Sequence, residues 1–459
     1  MNTAYKKFIK RSEEISFDLR HRKTIQFNMG KYDAAVERGM KRYKDIEKAK
    51  AHIAAKKRKA LQNLDETLLT FEKNALKNGI HVHWAVDTKE ALAQVNDIIE
   101  QKNAKKIVKM KSMTTEELEF NEFFEHKNIE VVETDLGEFI VQVAGEKPYH
   151  IVTPAMHKSK KDVNELFHRL YGMDKNSTAE EMTEFVRQLL RKKFSEADIG
   201  ITGANFIVAD IGGIATTENE GNGIMSASFS KTHIVIAGIE KVIPSMQDLG
   251  TFWPTLSVHG TGQAITVYNT IYTGARKNNE DFGPEEMHVI LLDNKRTELL
   301  QEPFQSDSLA CIRCGACLNA CPIYRNIGGY TYESTYSGPI GSVLAPFYQG
   351  FDLSGHLSYA CTICGKCTEV CPEKIDLHML LLHNRQKDVE ELNNKGFFAF
   401  IMVIYQYFSL HASLFGIGMA NIKNFFAKTF AKNGFGKKRS LPEFKEPFRN
   451  QFKNRKDTA

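Results

Sequence analysis

The chain has 459 residues, of which 25% are charged and 42% belong to the hydrophobic set, and its formal net charge is +5. That length exceeds what a single hydrophobic core usually supports, so more than one domain is expected. The composition is that of a folded globular protein, and the small basic excess, without a recognisable module, excludes a nucleic-acid binder.

Residues 1–80 read as a helical N-terminal region, with alanine, lysine, glutamate and leucine at helical spacing and no proline. Its basic run KAKAHIAAKKRKAL, at 48–61, reads as a solvated helix face. The opening MNTAYKKFIKRSEEISFDLRHRK lacks the apolar segment and small-residue cleavage site of a secretory signal, so a cytoplasmic location is expected.

The texture changes at 81. HVHWAV (81–86), KKIVKM (105–110), IEVVET (129–134), FIVQVA (139–144) and HIVTP (150–154) are β-rich runs among helical segments. ADIGITGANFIVAD (197–210), THIVIAGI (232–239) and MHVILLD (287–293) continue the series. Short apolar strands alternating with helices predict an α/β domain over 81–300, with a mostly parallel sheet buried on both faces.

From 301 to 390 the sequence reads as loop and short helix around the cysteines, with glycine and proline marking turns in GPIGSVLAPFYQGFDLSGHL, 338–357. Residues 391–459 return to helix and end in a basic tail, KNRKD at 453–457. The apolar stretch 396–428 leaves three readings open. It could span a bilayer, lie in the membrane interface or on a partner subunit, or pack on its own core.

All eight cysteines fall in two runs, CIRCGACLNACP (311–322) and CTICGKCTEVCP (361–372). Each is C-x2-C-x2-C-x3-C-P, the bacterial ferredoxin spacing for a [4Fe–4S] cluster, in which the fourth cysteine ligates the other cluster. By that rule Cys311, Cys314, Cys317 and Cys371 hold one cluster, and Cys361, Cys364, Cys367 and Cys321 hold the second. Gly315 and Gly365 allow dihedrals closed to other residues, and Pro322 and Pro372 direct the chain away. Structural zinc takes ligand pairs separated by a longer loop, and disulfides need no such crowding.

No hydride-accepting cofactor is recognised. HGTGQAI (259–265) and GIGMAN (416–421) are the nearest approaches to a dinucleotide loop, and neither follows a strand and opens a helix, so no flavin or NAD site is expected. The candidate small-molecule site is DIGGIATTENEGNG (210–223), where the strand FIVAD runs into a glycine-rich loop carrying Glu218, Asn219 and Glu220. A plain surface loop is the alternative. His259 and Thr261, flanked by Gly260 and Gly262, form a second loop that either faces the same cleft or holds a structural histidine.

The α/β segment ITGANFIVADIGGIATTENEGN, followed by CIRCGACLNACPIY and CTICGKCTEVCP, resembles the LutB family of lactate-utilisation iron–sulfur proteins, from about residue 60 through the second cysteine run. The resemblance implies that the α/β region is a LUD domain, of the sugar-phosphate isomerase and CoA-transferase type of fold, ahead of an α-helical ferredoxin-like module with two [4Fe–4S] clusters. It also implies a role in oxidising L-lactate to pyruvate, with LutA-like and LutC-like partners. It transfers no catalytic residue, so Glu218, Glu220 and His259 remain candidates on their own chemistry. The function expected is an electron-transfer subunit that passes electrons to a partner or membrane-associated acceptor, with peripheral membrane contact through 396–420. The alternatives are a catalytic subunit using the LUD cleft for a 2-hydroxy acid, and an iron–sulfur subunit of a glycolate- or heterodisulfide-type oxidoreductase.

Overall fold

The architecture comes from a computed structural model, which describes residues 3–391, 397–411, 420–431, 443–445 and 452. The α/β region is built on a six-stranded sheet of order β1-β10-β7-β4-β2-β3. Its strands are β1 (His81–Ala85), β2 (Lys106–Lys109), β3 (Glu130–Glu133), β4 (Ile199–Thr202), β7 (Thr232–Gly238) and β10 (Glu286–Leu292). Every neighbouring pair is parallel. Alternate residues of β7 serve the two faces, as the period of two requires. Ile234 and Ile236 pack with Ala91, Leu92 and Val95 of the helix Thr88–Gln101. Val235 and Ala237 pack with Leu64, Leu68 and Phe71 of the helix Leu64–Lys77. Helices on both faces explain why these strands read as unbroken apolar runs.

A second sheet, of order β8-β5-β6-β9, was not expected. It comprises β5 (Phe206–Val208), β6 (Gly213–Glu218), β8 (Val242–Ile243) and β9 (Tyr268–Tyr272), with β6 antiparallel to both β5 and β9. One core joins its Phe206, Val208 and Ala215 to Phe252 and Leu256 of the helix Leu249–Thr261 and to Ile312 and Cys314 of the first cysteine run. This sheet therefore seats the cysteine loop against the α/β domain.

Three local expectations are corrected. FIVQVA belongs to a helix, Leu136–Val143, because the Asp135 carboxylate accepts the N–H groups of Gly137 and Glu138 and starts the turn. HIVTP is not a strand: His150 Nδ1 accepts the N–H groups of Val152 and Thr153, so they are spent locally. The middle of the predicted glycine-rich loop, Gly213–Glu218, is the strand β6, which gains partners on both sides.

The N-terminal helices are α1 (Thr3–Phe17), α2 (Leu19–Met40), α3 (Ile46–Gln62) and α4 (Leu64–Lys77). They pack on both later regions rather than standing apart. Phe8 meets Tyr332 with ring centroids 6.2 Å apart, while buried Lys57 donates to the carbonyls of Glu240 and Val242. Met1–Glu391 form one compact unit and Leu392–Ala459 a second. In the second unit the helix Phe397–Leu410 exposes Phe400, Val403, Tyr405 and Leu410. Among the described residues no helix is long and apolar enough to cross a membrane. The basic tail at 453–457 and residues 416–419 of GIGMAN lie outside the described residues.

The carboxyl ends of three parallel strands meet in a buried ion network. Arg296, just after β10, has no exposed surface and forks onto Glu117 at 3.0 and 2.9 Å while its Nε donates to Glu240, just after β7. Against burial, which raises both acids, Arg296 holds Glu117 below the usual range and Glu240 at about 2. Tyr336, between the two cysteine runs, donates its hydroxyl to Glu117 at 2.6 Å. Removing one partner of such a set leaves uncompensated buried charge, at a cost of about 3–5 kcal/mol. Arg296→Leu is expected to lower stability by about that amount, read as a lower denaturation midpoint, whereas Arg187→Leu, in an exposed pair, should leave the midpoint nearly unchanged.

Candidate functional site

The carboxyl ends of β2 and β3 deliver Lys111 and Asp135 to one cavity of about 210 Å3. Glu218, at the end of β6, and Glu220 line it too, with Tyr32 from α2. Its far wall includes Cys314 of the first cysteine run. Lys111 Nζ donates to the Val152 carbonyl at 3.1 Å and stands 3.6 Å from Asp135. Burial lowers its pKa, but the carboxylates of Asp135, Glu138 and Glu220 more than reverse this, so the ammonium stays charged.

Glu218 is engaged structurally. Its carboxylate accepts the N–H groups of Gly223 at 2.7 Å and Ile224 at 3.0 Å, capping the helix Asn222–Phe229. Burial raises its pKa, and those two N–H groups oppose the shift. The capped helix lies so close to β4 that a Cβ on Gly200 would sit 1.7 Å from the Ser226 carbonyl oxygen. Glu220 is exposed at the rim.

His259 is not in a loop and does not reach Glu218. It is buried in the last turn of the helix Leu249–Thr261, where its Nδ1 bonds to the Thr255 carbonyl at 2.8 Å. It lines a different cavity, with Glu47 and Lys50, while Gly260 and Thr261 face the one beside Glu218. Lys111, Asp135 and Tyr32 escaped the sequence reading. For the first two a signal existed, since ligands bind outside the carboxyl ends of parallel strands and both residues follow such ends by two positions.

The two cysteine runs repeat in detail. Arg313 and Ile363 take positive φ, 62° and 53°, and their N–H groups point at the sulfurs of Cys311 (3.4 Å) and Cys361 (3.3 Å). Gly315 and Gly365 follow at φ 78° and 75°, opening the short helices Ala316–Ala320 and Lys366–Glu369. Cys311, Cys314, Cys317 and Cys371, with Pro372, line a single cavity. Cys321 lies instead within electrostatic reach of Cys361 and Cys364, and Cys367 within reach of Cys361, Cys321 and Cys364. Among the described residues no three His, Cys, Asp or Glu side chains converge closely enough to hold a single ion. Burial, then the neighbouring sulfurs, push the Cys367 and Cys371 thiols up to about 12. Bound iron would supply the positive charge that favours their thiolate form. A four-sulfur cavity with N–H groups aimed at sulfur fits an iron–sulfur cluster.

Both regions of the chain match known families. The LUD domain family matches residues 68–292 and the 4Fe-4S dicluster domain matches 307–375. Lactate utilization protein B of Bacillus velezensis is 45% identical over 343 residues, 74% of this chain and 72% of its own length. The chain belongs to the lactate utilization protein B family. Within that family the Bacillus subtilis protein is 46% identical over 332 residues, covering 72% of this chain and 69% of its own. The Lysinibacillus sphaericus protein is 44% identical over 347 residues, 75% and 73% of the two chains.

His259 gives a pH test. Burial lowers its pKa to about 4, whereas an unfolded histidine titrates near ~6.5. Between those values the unfolded chain binds one more proton, so stability falls as the pH drops from ~6.5 toward 4. His259→Gln should flatten that slope by up to about 1.4 kcal/mol per pH unit, measured by denaturant unfolding at pH 7, 6 and 5.

Proposed function

We propose that this chain is the iron–sulfur electron-transfer subunit of a complex that oxidises L-lactate to pyruvate, acting with LutA-like and LutC-like partners. The observation that carries this is the cavity shared by Cys311, Cys314, Cys317 and Cys371, which draws its sulfurs from both runs. Two [4Fe–4S] clusters, when bound, would supply single-electron transfer. The chain's own part is to hold, insulate and orient them. Cys321 and Cys371 each serve the other run's loop, so the two loops brace one another. Family membership supports the substrate assignment, because the relatives are lactate utilization proteins.

The two ends of the cysteine module differ in access. Cys364 is exposed, whereas Cys314 and Cys317 are buried against the α/β domain. A protein partner would meet the module at Cys364, beside the Lys366–Glu369 pair. The cavity that touches Cys314 favours one second reading, in which the 2-hydroxy acid binds on this chain.

Lactate oxidation to pyruvate releases two electrons and two protons, so an acceptor dye reports it directly. The iron-loaded chain alone is expected to leave lactate unoxidised and to be reduced by lactate only when its partners are present. Turnover by the chain alone would overturn the carrier role in favour of the second reading.

The crossed ligand set has its own test. Cys321→Ala and Cys364→Ala should abolish the same EPR signal, and Cys371→Ala and Cys314→Ala the other one. An uncrossed set would instead group Cys321 with Cys314.

A further inference from the structure

The two cysteine loops superimpose in backbone logic but differ at one side chain. The position between the first and second cysteines, with positive φ in both, is Arg313 in one loop and Ile363 in the other. Arg313 keeps only 10% of its side chain exposed, and neither of its Nη atoms has a hydrogen-bond acceptor among the described residues. Its guanidinium stacks over Tyr336 at 4.7 Å. Its ion-pair partner, Glu240, stands 3.5 Å away through Oε1 and shares its charge with Arg296, which binds Oε2.

Charge around Arg313 does not close. Arg296, Arg313, Lys57 and Lys241 crowd Glu240, with Glu117 and Glu373 as the other carboxylates near them. Arginine does not shed its proton in a protein, so the Arg313 charge persists. Arg313 lines the same cavity as Cys311, Cys314, Cys317 and Cys371, and its backbone N–H points at the Cys311 sulfur at 3.4 Å. Burial alone makes an anionic cluster harder to reduce, because the added electron loses solvation. The Cys311 loop is the more buried of the two, so this penalty falls chiefly on its cluster.

We propose that Arg313 raises the reduction potential of the cluster held by Cys311, Cys314, Cys317 and Cys371, offsetting its burial, and that Ile363 supplies no such charge at the matching position of the other loop, where Arg385 binds the Cys361 carbonyl at 2.8 Å instead. This rests on the two-cluster assignment above. Arg313 acts as a fixed counter-charge, and the Glu240–Arg296 pair sets its distance from the sulfurs.

The test is an EPR-monitored redox titration of the iron-loaded full-length chain, after iron and sulfide analysis. Arg313→Met should lower one midpoint, leaving that cluster at least tenfold less reduced at a fixed potential, about 59 mV for one electron, with the other midpoint unmoved. Arg313→Lys should recover most of the shift, which a purely structural role would not require. Ile363→Arg, on the half-buried loop, should raise the other midpoint by a smaller amount. If Arg313→Met loses iron, neutral Arg313→Gln is titrated in its place. A neutral variant with full iron content and wild-type midpoints would overturn the proposal. Wild-type protein with only one cluster would instead overturn the two-cluster assignment.

Discussion

Arg296 sits where the carboxyl ends of the parallel strands, the connection between the cysteine runs and the first cysteine loop all converge. Its guanidinium, without exposed surface, binds Glu117 after β2 and Glu240 after β7, and Glu240 in turn faces Arg313. Tyr336 closes the set from the chain between the two runs. A buried ion pair adds little net stability over a hydrophobic equivalent, but it tolerates few alternative arrangements, because any displaced charge is left unsolvated. Here that intolerance fixes the α/β domain and the cysteine module in one relative position. It explains why the first 391 residues form a single unit although two domain families match within them.

The same constraint breaks the symmetry of the repeat. Both loops use a positive-φ residue, a positive-φ glycine and a short helix, so their backbones present sulfur and N–H alike. The first loop leans on the ion network and puts Ile312 and Cys314 in the core of the second sheet, to which the second run adds partly buried Val370. The second keeps Cys364 in solvent. Duplicated ligand geometry in unequal surroundings would give two bound clusters different potentials, since potential depends on charge and solvation as well as on the ligands.

How much of this the sequence disclosed depended on whether the signal was local. The cysteine runs were legible because ligand spacing is local chemistry. β4, β7 and β10 were legible because burial on both faces leaves an unbroken apolar run. FIVQVA failed for the converse reason: a short apolar run does not state its period, and the Asp135 cap decided for helix. β6 and β9 were hidden because GIATTE and YNTIY become strands through pairing, with each other across 50 or so residues and, for β6, with β5 as well. The site divided the same way. Glu218 and Glu220 do line the cavity, but Glu218 is spent on capping a helix, and His259 faces elsewhere. Lys111 and Asp135 needed the strand order, which no window of sequence contains.

Cys314 belongs to two cavities, the one its sulfur shares with Cys371 and the one lined by Lys111 and Asp135. Nothing about cluster ligation demands the second. In the carrier role proposed above, Cys314 at the wall of a polar cavity would offer a path inward, as exposed Cys364 would outward. The capping role of Glu218 fits this division. It holds a cavity wall in place, while Lys111, charged and beside Asp135, lines the same cavity. The α/β domain therefore does more than support the cysteine module: it shapes the space next to the module's buried end.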